Sequence, residues 1–194
     1  MKIRLIHLLK VYFQAFVSSG SDTEDPKYRL GVGIMLVNRE KKIFVGKRKQ
    51  NSHTGWQMPQ GGVDFYGGEA ESFSDAAWRE LWEEVGATKE QCVLLTHTKN
   101  KYRYNFPTLK GISRIWKLKF KGQKQVWYAF AFLGQDAEIN LNATVHPEFS
   151  SWKWVDSEEL ITLCVPFKRS IYKGVLEELW PYVDAFFMKS EKSL

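Results

Sequence analysis

The run Arg79-Glu80-Leu81-Trp82-Glu83-Glu84-Val85-Gly86-Ala87 constrains this chain more than any other stretch. On a helix, at about 100° per residue, Trp78, Leu81, Trp82 and Val85 fall at i, i+3, i+4 and i+7 and form one apolar stripe. Glu80, Glu83 and Glu84 then share the opposite side, in an arc roughly 100° wide. Exposed like charges at this spacing repel by a few tenths of a kcal/mol per pair. Three such carboxylates are either a plain solvated helix face or a site for a cation. An all-oxygen donor set suits Mg²⁺, with Mn²⁺ or another divalent ion as substitute, and does not suit zinc.

The flanks favour the cation. Ser72, with Asp75 three residues on, predicts a helix N-cap with a capping-box partner, and Gly86 predicts the stop. The helix therefore spans about Ser72 to Val85. Upstream, Gly61-Gly62 allows either positive φ or close approach of the backbone to another group. Gly67-Gly68-Glu69 reads as loop. The layout is a glycine loop, a capped helix, and carboxylates in its last two turns.

At this point the chain resembles a Nudix hydrolase, whose signature is G-x5-E-x7-R-E-U-x-E-E-x-G-U, with U a bulky apolar residue. Seven residues separate Glu71 from Arg79, and Arg79-Glu80-Leu81, Glu83-Glu84 and Gly86 all match. Two departures stand out. Nine residues, not five, separate Gly61 from Glu71, so the loop carries extra residues around Asp64 to Gly67, and the last apolar position is Ala87. Tyr28-Arg29, Trp56 to Gly62, Gly122-Gln123-Lys124-Gln125-Val126-Trp127, Pro147-Glu148-Phe149, Trp152-Lys153-Trp154 and Val165-Pro166-Phe167-Lys168-Arg169 follow in order. Together they resemble the bacterial branch of RNA pyrophosphohydrolases and dinucleoside polyphosphate hydrolases.

The resemblance implies an α/β/α sandwich around a central mixed β-sheet. It also implies roles. Glu80, Glu83, Glu84 and Glu148 would ligate metal, helped by the Gly61 or Gln60 carbonyl, and Glu83 or Glu148 would act as general base. Arg79 would hold the helix geometry, pairing with Glu71, or with Glu69 if the longer loop shifts the register. Arg29, Tyr104, Val165 and Phe167 would hold a base, and Arg48, Gln123 and Lys124 phosphates. Val165 fits plain core packing equally well. Divalent metal would neutralise phosphate oxygens and acidify a bound water. The substrate would be a dinucleoside polyphosphate, a 5′-triphosphate RNA end, or both. The alternative is a silent nucleotide- or RNA-binding module on the same scaffold.

Bulk properties fit this class. A chain of 194 residues suits one domain with a proper core. Residues 27–190 read as that domain, and residues 1–26 as an N-terminal extension and polar linker. The apolar run from Met1 to Val17 is broken by Arg4, His7, Lys10 and Gln14, which rules out a membrane span. Cys92 and Cys164 have no metal-ligand spacing and read as buried thiols of a reducing compartment, which points to the cytoplasm. The net charge of +6 is local: no Asp or Glu lies between Cys92 and Gln135, while Lys99, Lys101, Arg103, Lys110, Arg114, Lys117, Lys119, Lys121 and Lys124 do. Tyr102, Tyr104, Phe106, Trp116, Phe120 and Trp127 are interleaved. Such a stretch suits polyphosphate or single-stranded nucleic acid.

Elsewhere the patterns predict strands at Gly31 to Asn38, Lys42 to Arg48, Cys92 to Thr98, Tyr102 to Phe106, Gln125 to Leu133 and Trp152 to Val155. Asn51 to Asp64 reads as loop. Ser157 to Leu163 reads as helix, as does Pro166 to Phe187, which Pro181 should kink or break.

Overall fold

The computed structural model describes residues 27–49, 55–106 and 120–191. The expectations for 1–26 and for Lys110, Arg114, Trp116, Lys117 and Lys119 fall outside these.

Two strands, β1 (Tyr28–Val37) and β9 (Gly122–Phe132), run parallel in the middle of the sheet, in register from Tyr28↔Gly122 to Val37↔Ala131. Both are buried along most of their length, as strands covered on two faces must be. Side-chain alternation sends Val32, Ile34, Leu36, Val126, Tyr128, Phe130 and Phe132 to one face. Met35, Val37, Trp127, Ala129 and Ala131 go to the other. Gly33 belongs to the second face, where the Trp127 indole lies 2.3 Å from where a Cβ would sit.

Between β1 and β9 in sequence come β2 (Ile43–Arg48), β3 (Trp56–Gln57), β4 (Gln60–Gly62), the hairpin β5 (Phe65–Tyr66) and β6 (Glu69–Ala70), helix α1 (Phe73–Val85), β7 (Cys92–His97) and β8 (Tyr102–Asn105). After β9 follow β10 (Phe149–Val155), α2 (Ser157–Leu163), a 3-10 turn at Pro166–Lys168 and α3 (Arg169–Glu191). The sheet order is β10-β2-β1-β9-β7, with β3 on β2, β4 on β1 and β8 on β9. The other strand pairings are antiparallel, apart from an isolated parallel bridge between Trp56 and Cys164, so the sheet is mixed, as expected. The segment read as loop between Asn51 and Asp64 in fact supplies β3 and β4. Two or three residues per strand are too few for alternation to show.

Helix α1 covers the first face through Ala76, Ala77, Leu81 and Val85. The Ser72 hydroxyl accepts the Asp75 N–H at 3.0 Å and caps it, while the Asp75 carboxylate takes the Ser72 hydroxyl at 2.7 Å. Gly86 ends the helix at φ 75° and donates to the Trp82 carbonyl at 2.8 Å. The expected apolar stripe is corrected at one position. Trp82 is 46% exposed, whereas Glu80 and Glu84 are buried. The small Ala76 and Ala77 seat the helix closely and rotate its carboxylate side inward.

Helix α3 covers the second face through Tyr172, Val175, Leu179, Val183 and Phe187. Pro181 neither breaks nor ends it. A helix-interior proline costs about 3 kcal/mol, and burying each large apolar side chain contributes about 1.5–3 kcal/mol. Four buried residues at i+4 spacing flank Pro181, and they outweigh it. Pro181 itself lies on the exposed side, as does Glu177, whose carbonyl loses its N–H partner there.

Candidate active site

Arg79 organises the carboxylates of α1. Its guanidinium donates to Glu71 at 2.6 Å, to Glu80 at 2.8 Å, to Glu83 at 3.2 Å and to the Gly62 carbonyl at 2.8 Å. Asp64 lies 3.8 Å from it. Glu71, not Glu69, is therefore the structural partner. Its carboxylate also accepts the Asp64 N–H at 2.8 Å, while Glu69 is exposed in β6. The longer loop leaves the pairing of Glu71 with Arg79 intact.

The two glycines of β4 serve close approach. A Cβ on Gly61 would fall 1.8 Å from the Glu80 carboxylate, and one on Gly62 would fall 1.9 Å from the Arg29 guanidinium. Among the described residues, positive φ is found instead at Gly67, Gly68, Gly86 and Lys41.

Glu80 and Glu84, one turn apart, are the buried pair. Glu84 accepts the Gln60 N–H at 2.9 Å. Burial, followed by the charges of Glu148 and Glu80, holds its carboxyl well above the usual range. Burial likewise pushes Glu80 up to about 7 against the pull of Arg79. Glu83 is half-exposed and is raised by burial, again opposed by Arg79. Glu148 comes from the start of the β10 side and pairs with Arg48 of β2 at 2.5 Å. Buried carboxylates that raise one another, with only oxygen donors around, are a chemical fit for a hard divalent cation. Among the described residues no three His, Cys, Asp or Glu side chains stand grouped as they would around a metal ion. Arg79 gathers Glu71, Glu80 and Glu83, while Arg48 holds Glu148 and the Gln60 N–H holds Glu84.

Next to Glu84 the site becomes aromatic and basic. Tyr104 of β8 and Phe167 of the 3-10 turn face each other at 5.5 Å, and Phe167 is 37% exposed. Arg29 lies over Gly62, in register with Gln123. Val165 is buried and packs where Gly55 has no side chain. Gln123 is buried too: it accepts from the Tyr104 hydroxyl at 2.7 Å and from Gln125 at 3.0 Å. Alternation places Lys124 on the other face of β9, away from Gln123 and Gln125.

Sequence reasoning missed Lys168, Gln57 and the Gln60 side chain. Lys168 is buried, donates to Gln57 and Gln60 at 2.7 Å each, and lies under the Tyr104 ring. Burial, then the nearby Arg48 charge, pushes its amine down to about 7. Gln60 in turn donates to the Tyr104 hydroxyl at 3.1 Å. Gln60 thus links Glu84, through its backbone, to the aromatic pocket, through its side chain. The available signal was the Phe167-Lys168 dipeptide, from which only the aromatic was taken.

The model of the NUDIX domain family matches residues 27–175. The chain belongs to the Nudix family. Among its relatives is a protein of Rhodospirillum rubrum named RNA pyrophosphohydrolase, 49% identical over 153 residues, covering 78% of this chain and 87% of that one. One of the same name from Orientia tsutsugamushi is 43% identical over 151 residues, covering 78% of this chain and 89% of that one. A C. elegans Ap4A hydrolase binary complex shares the fold at TM-score 0.55 and 20% identity, covering 83% of this chain and 98% of that one. The E. coli dihydroneopterin triphosphate pyrophosphohydrolase does so at TM-score 0.57 and 18% identity, covering 77% and 98%. Nudix hydrolases generally use divalent cations, which accords with the buried carboxylates of α1. Among the described residues, no helix of this Nudix protein is long and apolar enough to cross a membrane.

Proposed function

We propose that this Nudix protein is a Mg²⁺-dependent pyrophosphohydrolase acting on dinucleoside polyphosphates, on 5′-triphosphate RNA ends, or on both. One observation carries the reading: the buried pair Glu80 and Glu84 stands beside Gly61, and Gln60 joins it to the Tyr104–Phe167 pocket. A site for charge neutralisation and a site for a planar base are thereby adjacent. The relatives named RNA pyrophosphohydrolase support the substrate class.

In this reading Glu80 and Glu84 hold the cation, with Glu83, Glu148 and the Gly61 carbonyl completing the set. Bound there, a divalent ion supplies positive charge to phosphate oxygens and an acidified water. Arg79 holds Glu80 and Glu83 in place. Glu83 or Glu148 takes the proton from the attacking water. Arg29 and Arg48 supply positive charge along the phosphate chain. Tyr104 and Phe167 hold a base, with Gln123 fixing the Tyr104 hydroxyl and Val165 the floor. Residues 27–190 form the catalytic unit of a cytoplasmic protein, and residues 1–26 are accessory to it.

The deciding experiment incubates the protein with diadenosine tetraphosphate and with a short 5′-triphosphate RNA in Mg²⁺ and follows the products. Cleavage of either supports the reading. Failure on both at every metal concentration favours a silent binding module.

The carboxyl shifts set a further expectation. With Glu80 near 7 and Glu84 raised, the metal-free folded protein keeps protons between pH 5 and 7 that the unfolded chain has released. These groups therefore stabilise the fold most at low pH, and their contribution is lost as pH rises through that window. Cation binding needs the deprotonated form, so Mg²⁺ should raise Tm more at pH 7 than at pH 5 and should release protons. Thermal melts with chelator and with Mg²⁺ at both pH values check this. Equal shifts at both would remove these carboxylates from the cation site.

A further inference from the structure

The residues that lengthen the Nudix loop fold into a small arm of their own. Phe65 pairs with Ala70 and Tyr66 with Glu69, and the turn between them is Gly67-Gly68. Both glycines have positive φ, 61° and 96°, which is the requirement of the two-residue turn that matches strand twist. The base of the arm is closed twice, by Glu71 N–H to the Asp64 carbonyl at 3.0 Å and by Asp64 N–H to the Glu71 carboxylate at 2.8 Å. Arg79 holds that same Glu71 carboxylate together with Glu80 and Glu83. The arm is therefore mounted on the catalytic frame.

At its tip Tyr66 is 61% exposed, a large aromatic ring with no core role. The base of its arm reaches the carboxylates of α1 through Glu71, which accepts from Asp64 and from Arg79, the partner of Glu83. Tyr104 is joined to Glu84 through Gln60, whose side chain donates to the Tyr104 hydroxyl and whose N–H donates to Glu84. The carboxylates of α1 are thus tied to aromatic residues by two separate routes: Glu84 to Tyr104 and Phe167 through Gln60, and Glu83 to the arm that carries Tyr66 through Arg79 and Glu71. A substrate with one nucleoside needs only one aromatic partner. A dinucleoside polyphosphate has a second nucleoside where its phosphate chain leaves the carboxylates.

We infer that the Phe65–Ala70 arm forms a subsite for the distal nucleoside of a dinucleoside polyphosphate, with the Tyr66 ring stacking on its base. This rests on the proposed function and deepens it. Stacking on an exposed ring is tolerant of base identity, so the subsite selects for the presence of a second nucleoside and not for its sequence.

The test compares diadenosine tetraphosphate with adenosine 5′-tetraphosphate, which carries the same phosphate chain but no second nucleoside. For Tyr66→Ala, the ratio of kcat/KM on the first substrate to that on the second should fall about tenfold, the size of one base–aromatic stack. Tyr66→Phe keeps the ring and should keep the ratio. An unchanged ratio in Tyr66→Ala, or an equal fall in Tyr66→Phe, overturns the stacking subsite. Wild-type cleavage of 5′-triphosphate RNA with none of diadenosine tetraphosphate overturns the subsite and spares the proposed function. Inactivity on all three substrates overturns both.

Discussion

Glu84→Gln should reduce Mg²⁺-dependent hydrolysis by roughly three orders of magnitude, in line with loss of a group that places charge against the reacting phosphate. The fold should survive. The replacement is nearly isosteric, and its amide oxygen still accepts the Gln60 N–H that Glu84 accepts at 2.9 Å. Metal-free stability near pH 7 should even rise, because the amide is neutral without a proton, whereas burial beside Glu148 and Glu80 disfavours the charged carboxylate. Loss of activity together with a higher Tm in chelator separates a functional carboxylate from a structural one. The measurements are kcat/KM in Mg²⁺ and Tm in chelator, and wild-type turnover would remove Glu84 from the mechanism. Glu83→Gln should also nearly abolish hydrolysis. It lacks the stability gain, because Glu83 is half-exposed and already paired with Arg79.

Arg79→Ala should destabilise the protein by about 3–5 kcal/mol, the usual cost of leaving buried charges without their partner. Glu71 and Glu80 have side chains only 8% and 10% exposed, so water cannot replace the guanidinium. The Gly62 carbonyl would lose its donor as well. Arg79→Lys should recover only a small part. One ammonium cannot span Glu71, Glu80, Glu83 and Gly62 in the planar fork that these contacts use. Denaturant melts give the stability, and activity measured on the remaining folded fraction gives the catalytic share. Full rescue by lysine would mean that only the charge matters, not the fork.

Arg79 also shows how much of the site was legible in the chain. Its spacing from Glu71 and from Glu83 follows from helical geometry plus one short loop, so local pattern sufficed. The same holds for Ser72 and Gly86, which act within a few residues of themselves. The strands β1, β2, β7 and β9 could be read because apolar runs have few other uses, and part of β10 because Trp152 to Val155 alternates. Pro181 does not break α3 because propensity is local, whereas the burial of Val175, Leu179, Val183 and Phe187 comes from the sheet. Trp82 misled for the converse reason: an apolar residue on a helix need not meet the core if alanines make the contact.

Lys168 lay further beyond reach. It is 111 residues from Gln57 and 108 from Gln60, and only the folding of the 3-10 turn against β3 and β4 brings them together. A lysine in a sequence reads as solvated, and its burial depends on acceptors that no spacing rule supplies. The two carboxylate–arginine pairs divide in the same way. Glu71 finds Arg79 through a helix, whereas Glu148 finds Arg48 across a strand pairing that joins distant segments.

What the chain determined by itself was the chemistry: oxygen donors at helical spacing, glycines to admit them, and a basic aromatic stretch for an anionic substrate. Local backbone geometry converts those spacings directly into shape. The tertiary structure alone decided which carboxylates are desolvated, which are neutralised by arginine, and where the lengthened loop points. Those outcomes depend on dielectric and on contacts between segments that are far apart in sequence, and neither is encoded in any short run of residues.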